Sequence, residues 1–401
     1  MRNKCVVAHA GARDHYQLAL ALAEKGYLEK LVTDTYAPNW LYTIFPSIFE
    51  KRYQPGLSSS FISFNILNLS LGILNILNKK NFDHRKNDES ISIEAYSIAS
   101  KKQLPLFLYS YYAFPAFKKA QSENFNQPRL LFQLHPHPLS VRNQLQLELE
   151  NYPQAADSLL HEAEMKYSSD YLKRLSDEPA LANAIVVASS YTKSTLVENN
   201  IPAEIIKVIP YGVDLHNFKT RTKAPKNKKL RVLFVGSMVQ RKGLTYLFEA
   251  IAQLPKGSTE LVLCGRGFVD HNLLKVYSSS DTIVQLNLDN SSLVAEMHKA
   301  DVFVLPSLSE GFGHVILKAM ATGLPIIATD HTSAPDLITE GKEGWVIPIR
   351  DTNAIVERLN WCIENKNLLF NMGIQAAATA KQFTWERFRA GIVNFYENQN
   401  H

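Results

Sequence analysis

Cysteine is scarce in this chain. Cys5, Cys264 and Cys362 are the three among 401 residues, far apart and odd in number. No CxxC pair or Cys/His cluster has zinc-like spacing, which excludes a disulfide scaffold and a zinc module and makes a reducing cytosol the expected location. Glycine and proline are scattered rather than clustered, and 46% of residues are hydrophobic against 20% charged. That balance excludes a collagen-like fibre and a disordered chain. The apolar stretch ending at Ala8 is too short for a signal-peptide core and reads as a first strand.

A large net charge is missing as well. The formal value is +5, and residues 219–229 (KTRTKAPKNKK) concentrate six bases with no acid. This polar, proline-containing run lacks the interleaved aromatics of a nucleic-acid surface and reads as a solvated linker between domains. No nucleic-acid partner is expected. Charge is absent altogether from Tyr53 to Asn78. Within that interval Asn65, Asn68, Gly72 and Asn75 recur at offsets of three, four and three, which predicts a helix with one polar stripe. The repeated Asn and Ser argue against a membrane span. Two readings stay open: a helix packed on its domain, or a helix lying in a membrane interface with Lys79 and Lys80 at its end, giving peripheral contact through residues 53–80.

Beyond the basic run, apolar runs alternate with helical spacing: strands at Arg231–Gly236, Glu260–Cys264, Thr282–Leu288, Val302–Leu305, Pro325–Thr329 and Trp345–Pro348, with helices between them. Continuous apolar strands alternating with helices predict a parallel sheet covered on both faces. Residues 1–212 repeat the plan less regularly, with strands at Lys4–Ala8, Leu28–Thr33, Arg129–Leu134 and Ala184–Ala188 and a long helical insertion over 142–175. The expected fold class is therefore α/β, with two doubly wound domains, 1–212 and 230–383, whose ligands bind at the strand C-terminal ends facing the cleft.

Two segments carry chemistry. In Pro306–Thr329 (PSLSEGFGHVILKAMATGLPIIAT) a strand ends, Glu310 follows in a loop with Gly311 and Gly313, and a helix begins. The glycines permit close backbone approach, and the helix start offers free N–H groups to an anion. Glu310 is either a grip for uncharged hydroxyls or an acid interacting with the helix dipole. In Val235–Gly243 (VGSMVQRKG) a strand leads through Gly236 and Ser237 to Arg241 and Lys242, a planar fork of donors beside a point charge, suited to a diphosphate. Its spacing is not that of a Walker loop.

Together with Ala188–Val197 (ASSYTKSTLV), Val208–Phe218 (VIPYGVDLHNF) and the closing Phe383–Tyr396 (FTWERFRAGIVNFY), these segments resemble the retaining glycosyltransferases of family 4, which have the GT-B fold of two facing Rossmann-like domains. The resemblance implies that residues 384–401 form a helix crossing back onto the first domain. It implies a nucleotide-diphosphate sugar donor (UDP- or GDP-sugar), a glycan or lipid-linked acceptor and a role in polysaccharide or glycolipid synthesis. The location implied is the cytoplasm or the inner face of the membrane.

Carried onto this sequence, Glu310 contacts the donor sugar, Arg241 and Lys242 hold the diphosphate, and Gly311, Phe312, Gly313 and His314 lie against sugar and phosphate. Gly236, Ser237, Gly265 and Leu286 border the donor pocket. His135 resembles the cleft histidine near the reacting sugar, with His137 as its rival. Gly11, Arg13 and Asp14 fall at the turn that closes over the phosphates. No cofactor and no metal are implied, in keeping with the lack of an Asp-x-Asp motif. Two departures stand out. Lys318 occupies the position of the family's second, ribose-binding glutamate, and a lysine can only donate hydrogen bonds. Gly11 is followed by Ala12 and Arg13 instead of a second glycine. The alternative is a non-catalytic nucleotide-sugar or glycan-binding relative in which Lys318 replaces that glutamate.

Overall fold

The computed structural model describes residues 4–63, 84–277, 279 and 281–399. Among these residues thirteen strands form two sheets, every pairing parallel. The first sheet holds β1 (Cys5–Ala8), β2 (Leu28–Val32), β3 (Ile62–Ser63), β4 (Leu106–Tyr109), β5 (Arg129–Gln133), β6 (Ala184–Val187) and β7 (Ile206–Val208), in the order 3-2-1-4-5-6-7. The second holds β8 (Leu230–Val235), β9 (Thr259–Gly265), β10 (Thr282–Leu286), β11 (Val302–Leu305), β12 (Ile326–Thr329) and β13 (Gly344–Ile347), in the order 10-9-8-11-12-13. The expected α/β class with two doubly wound parallel sheets is what forms. β1, β4, β6, β11 and β12 are buried at every position, because helices cover both faces.

Each sheet reverses its strand order at one place, between β1 and β4 and between β8 and β11. Loops diverge there at the strand C-terminal ends and leave a crevice. The loops after β8 and β11 are those that carry Arg241, Lys242 and Glu310.

Three sequence expectations need correction or bounding. The 219–229 run is not a free, solvated tether. Arg221 is buried and donates to the Ala300 carbonyl at 2.6 Å, Asn227 donates to the Lys299 carbonyl at 2.8 Å, and Lys229 pairs with Asp281 at 2.7 Å. Four of the run's six bases, Lys219, Lys223, Lys226 and Lys228, remain in solvent, while the chain between them is strapped to the second half. The insertion over 142–175 breaks into several helices, of which Pro138–Asn151 and Ser169–Asp177 are the longest. The helix expected over 53–78 falls mainly on residues 64–78, outside the described residues; its described beginning forms the short turn Ser59–Phe61 and strand β3.

The closing helix Trp385–Asn398 is capped by Thr384, whose hydroxyl accepts from the Arg387 amide. It buries Phe388, Ile392, Phe395 and Tyr396. Phe395 meets Phe107 of β4 with ring centroids 5.8 Å apart, and Tyr27 donates to Glu397 at 2.8 Å, so this helix packs on the first sheet.

Across the cleft, helix Pro138–Asn151 delivers Glu148 into the second half. This fully buried carboxylate accepts from Gln240 at 2.9 Å, Tyr246 at 3.0 Å and Arg350 at 2.5 Å. An ionised group out of water needs such a set of partners.

Candidate functional site

The loop after β8 runs through Gly236 and Ser237 to a single tight turn, Gln240–Lys242, ended by Gly243 with φ 72°. A Cβ on Gly243 would lie 1.9 Å from the Pro306 carbonyl oxygen. The two switch-point loops are thus pressed together, and the Leu308 amide donates to the Arg241 carbonyl at 2.9 Å. This contact brings Lys242 and Arg241 onto one carboxylate. Lys242 Nζ contacts Glu310 Oε1, and Arg241 Nη1 reaches the same oxygen at 3.1 Å and the Ser309 carbonyl at 2.9 Å. Arg241 Nε pairs with Glu162 at 3.0 Å.

Burial would raise the Glu310 carboxyl, but the Lys242 and Arg241 charges overcome it and hold the group down at about 2. Burial lowers the Lys242 ammonium, an effect that Glu310 opposes. Arg241 is held above the ordinary guanidinium value despite its burial, by the charges of Glu310 and Glu162. The result is a compact, mutually neutralised cluster of two cations and two anions.

His135, just past β5, opens into the same cleft. Its surroundings strip water from the ring, and Arg13 and Arg241 repel a proton from it, so its imidazole is lowered to about 4. The rival His137 is tied elsewhere: its amide donates to Thr195 at 3.0 Å and its Nε2 meets the Ser176 carbonyl at 3.1 Å. Arg13 lines the cleft and donates to the Tyr112 hydroxyl at 2.9 Å. Gly11 (φ 74°) donates to Asp34 at 2.9 Å. Asp14 turns inward instead, where it accepts from Tyr109 at 2.7 Å and the Leu18 amide at 3.1 Å.

Glu310, Arg241, His135, Arg13 and Gly311 therefore surround one cleft of about 640 Å³. Gly236, Ser237, Gly265 and Leu286 sit together beside it, along the ends of β8, β9 and β10. The Ser237 hydroxyl donates to the Arg266 carbonyl at 3.2 Å, and a Cβ on Gly265 would lie 3.3 Å from Leu286. Leu286 is exposed there.

The segment that follows Glu310 also makes contacts within the fold. Gly311 faces the first half: a Cβ would stand 2.1 Å from the Leu134 carbonyl oxygen, and its own carbonyl accepts from Ser189 at 2.6 Å and Thr192 at 2.9 Å. Its lack of a side chain serves domain contact. Phe312 is buried, edge-on to Tyr211 at 5.3 Å, and so packs in the core away from the cleft. Gly313 (φ 75°) opens helix His314–Ala321. His314 stacks on Tyr211 at 4.5 Å, and burial together with Lys318 and His15 lowers its imidazole to about 3. Lys318 lies over the Phe218 ring at 4.9 Å; burial lowers its ammonium, and nearby Asp214 opposes the shift.

Glu162, Glu164, Tyr111, Tyr112, Tyr167 and Tyr171 also line the cleft. The sequence offers no signature for them, since they come from the irregular insertion and from the loop after β4.

Residues 217–379 match the family described as Glycosyl transferases group 1. A putative colanic acid biosynthesis glycosyltransferase, WcaL of Salmonella typhimurium, is 32% identical over 170 residues, covering 39% of this chain and 42% of that protein. The amylovoran biosynthesis glycosyltransferase AmsK of Erwinia amylovora is 28% identical over 172 residues, 40% of this chain and 42% of that protein. The matches thus span about two fifths of these curated relatives. Among solved structures, sucrose-phosphate synthase of Thermosynechococcus elongatus superposes with a TM-score of 0.69 at 20% identity, over 99% of both chains. HepE of Anabaena, in complex with UDP-glucose, gives 0.62 at 16% identity over 99% of this chain and 100% of that one. These likenesses show the shared GT-B fold.

Proposed function

We propose that the chain is a retaining glycosyltransferase of family 4, moving a sugar from a nucleotide-diphosphate donor (UDP- or GDP-sugar) to a glycan or lipid-linked acceptor in polysaccharide or glycolipid synthesis. The observation that carries this reading is the convergence of Arg241 and Lys242 on Glu310 at the switch point of the second sheet. The family match over 217–379 and the relatives described as colanic acid and amylovoran biosynthesis glycosyltransferases support it.

In this reading the diphosphate displaces Glu310 from the two cations. Negative charge gathers on the departing diphosphate during transfer, and Arg241 and Lys242 are already aimed where it develops, so they stabilise the transition state without reorganising. Glu310, released from them, accepts from donor-sugar hydroxyls. The cations supply the positive charge needed, and no metal or cofactor takes part. Arg241→Ala should weaken UDP or GDP binding by at least about 2 kcal/mol, roughly 30-fold, by calorimetry. Wild-type turnover should persist in EDTA. A wild-type protein that binds neither nucleotide would sink the proposal.

We propose a peripheral membrane contact separate from that expected of residues 53–80, on the two short helices Asn39–Ile44 and Pro46–Phe49, which bury no residue. Trp40, Ile44, Phe45 and Ile48 are 64%, 58%, 48% and 65% exposed there. No charged residue occurs between Asp34 and Glu50, and a Trp beside exposed aliphatic side chains suits a lipid–water interface. Trp40→Ser with Ile48→Ser should reduce co-sedimentation with phospholipid vesicles while leaving nucleotide binding unchanged. Equal sedimentation of both proteins would remove the assignment.

A further inference from the structure

The cleft does not end at His135. A second cavity of about 220 Å³ adjoins it, and the two share Asp88, Tyr111 and Tyr171 as walls. Taken together as one groove, the two cavities extend from Glu310 and Arg241 to Phe114 and Arg174.

Tyrosines form its walls. Tyr111 stands edge-on to His135 with centroids 5.3 Å apart, Tyr167 lies 6.5 Å from Tyr111, and Tyr171 lies 4.9 Å from Tyr167. Tyrosine pairs a broad apolar face with a polar tip, which matches a sugar ring's apolar C–H face and hydroxyl rim. Tyr111 is also rigidly placed. Its amide donates to the buried Glu178 at 2.8 Å and its hydroxyl to Glu164 at 2.9 Å. Its backbone is left-handed at φ 75°, a conformation that a bulky residue keeps only where its surroundings enforce it.

Charge narrows the ligand further. Asp88, Glu89, Glu162, Glu164, Asp170 and Glu310 line the two cavities against the guanidinium groups of Arg13, Arg174 and Arg241. Each guanidinium already has a protein partner. Arg241 pairs with Glu162 and Glu310, Arg174 lies 3.7 Å from Glu89, and Arg13 donates to Tyr112 with the Asp88 charge nearby. A carboxylate on the ligand would meet an excess of negative charge. Neutral hydroxyls, by contrast, can donate to these acids.

We infer that this groove binds a neutral oligosaccharide acceptor over more than one sugar unit and rejects acidic sugars at those positions. The inference rests on the proposed transfer reaction. It can be tested on the full chain by saturation-transfer NMR, with maltotriose, chitotriose and trigalacturonate as probes of equal length. Calorimetry with UDP and GDP serves as a separate arm. A neutral trisaccharide should bind; Tyr171→Ala should weaken it about fivefold or more, and Tyr171→Phe, which keeps the ring, should restore it. Trigalacturonate should bind only once Asp88→Asn and Asp170→Asn are combined. Binding of trigalacturonate to the wild type as tightly as the neutral probes would overturn the inference. So would the absence of neutral binding at millimolar probe, or no effect of Tyr171→Ala. Nucleotide binding without trisaccharide binding removes this inference alone, whereas loss of both removes the transfer reading beneath it.

Discussion

Glu310→Gln should sharply slow sugar transfer and at the same time tighten the binding of the bare nucleoside diphosphate. The two effects have opposite signs because Glu310 has two relationships. Without donor, its carboxylate neutralises Lys242 and Arg241, so any diphosphate must compete with it for both cations. An amide does not compete in this way, and UDP or GDP affinity should rise at least about threefold. Transfer should fall about 10²–10³-fold, the usual cost of removing one preorganised group at a reacting centre. The substitution leaves the sequestered Lys242 without its anion, so the protein should lose about 2–3 kcal/mol of stability, visible as a lower Tm. Unchanged turnover would show that Glu310 only anchors the loop. Weaker nucleotide binding would show that it is not a competitor.

The charge states also set the pH behaviour. Glu310 has a folded value of about 2, below its ordinary 4.5. Its contribution to stability is therefore complete above about 4.5 and is lost as pH falls toward 2. His135, lowered to about 4, stays neutral at ordinary working pH. The rate profile should accordingly show no inflection near 6.5 from this ring.

Gly311→Ala should be nearly as damaging, through space alone. The added methyl would stand 2.1 Å from the Leu134 carbonyl oxygen, and backbone on that side cannot rotate away as a side chain can. The loop carrying Glu310 must then withdraw from the half that carries His135. A displacement of about 1 Å at a reacting centre costs on the order of 10² in rate. Nucleotide affinity should change little, since Arg241 and Lys242 belong to the same half as Glu310. Steady-state kinetics beside calorimetry would show this split, and full turnover in the variant would rule it out.

Much of this arrangement was legible in the chain itself. The strands of the second half are continuous apolar runs between turns, and their read limits lie within a residue or two of those formed. Arg241, Lys242 and Glu310 stood out because each follows a strand and precedes a glycine-bearing turn. β4 was not read. Its four residues LFLY are too few to tell a strand from a buried helix by period, and they sit in the least regular stretch. Glu162 was invisible for a different reason, since its partner Arg241 lies 79 positions away and nothing local marks the pair. Lys318 was legible as a departure, but its neighbour was not. The fold sets Lys318 over the face of Phe218.

The buried carboxylate of Glu148 bears on how such proteins can be recombined. Its chain segment belongs to one half, while Gln240, Tyr246 and Arg350 belong to the other. A chimera that exchanged the first 212 residues for a segment with no carboxylate at the position of Glu148 would leave the three partners without their anion, stranding Arg350 in a site shaped for a charge pair. The penalty would be several kcal/mol before any ligand is considered. The two halves look like interchangeable cassettes in their sheet topology, yet the unit that can be inherited or shuffled intact is the pair.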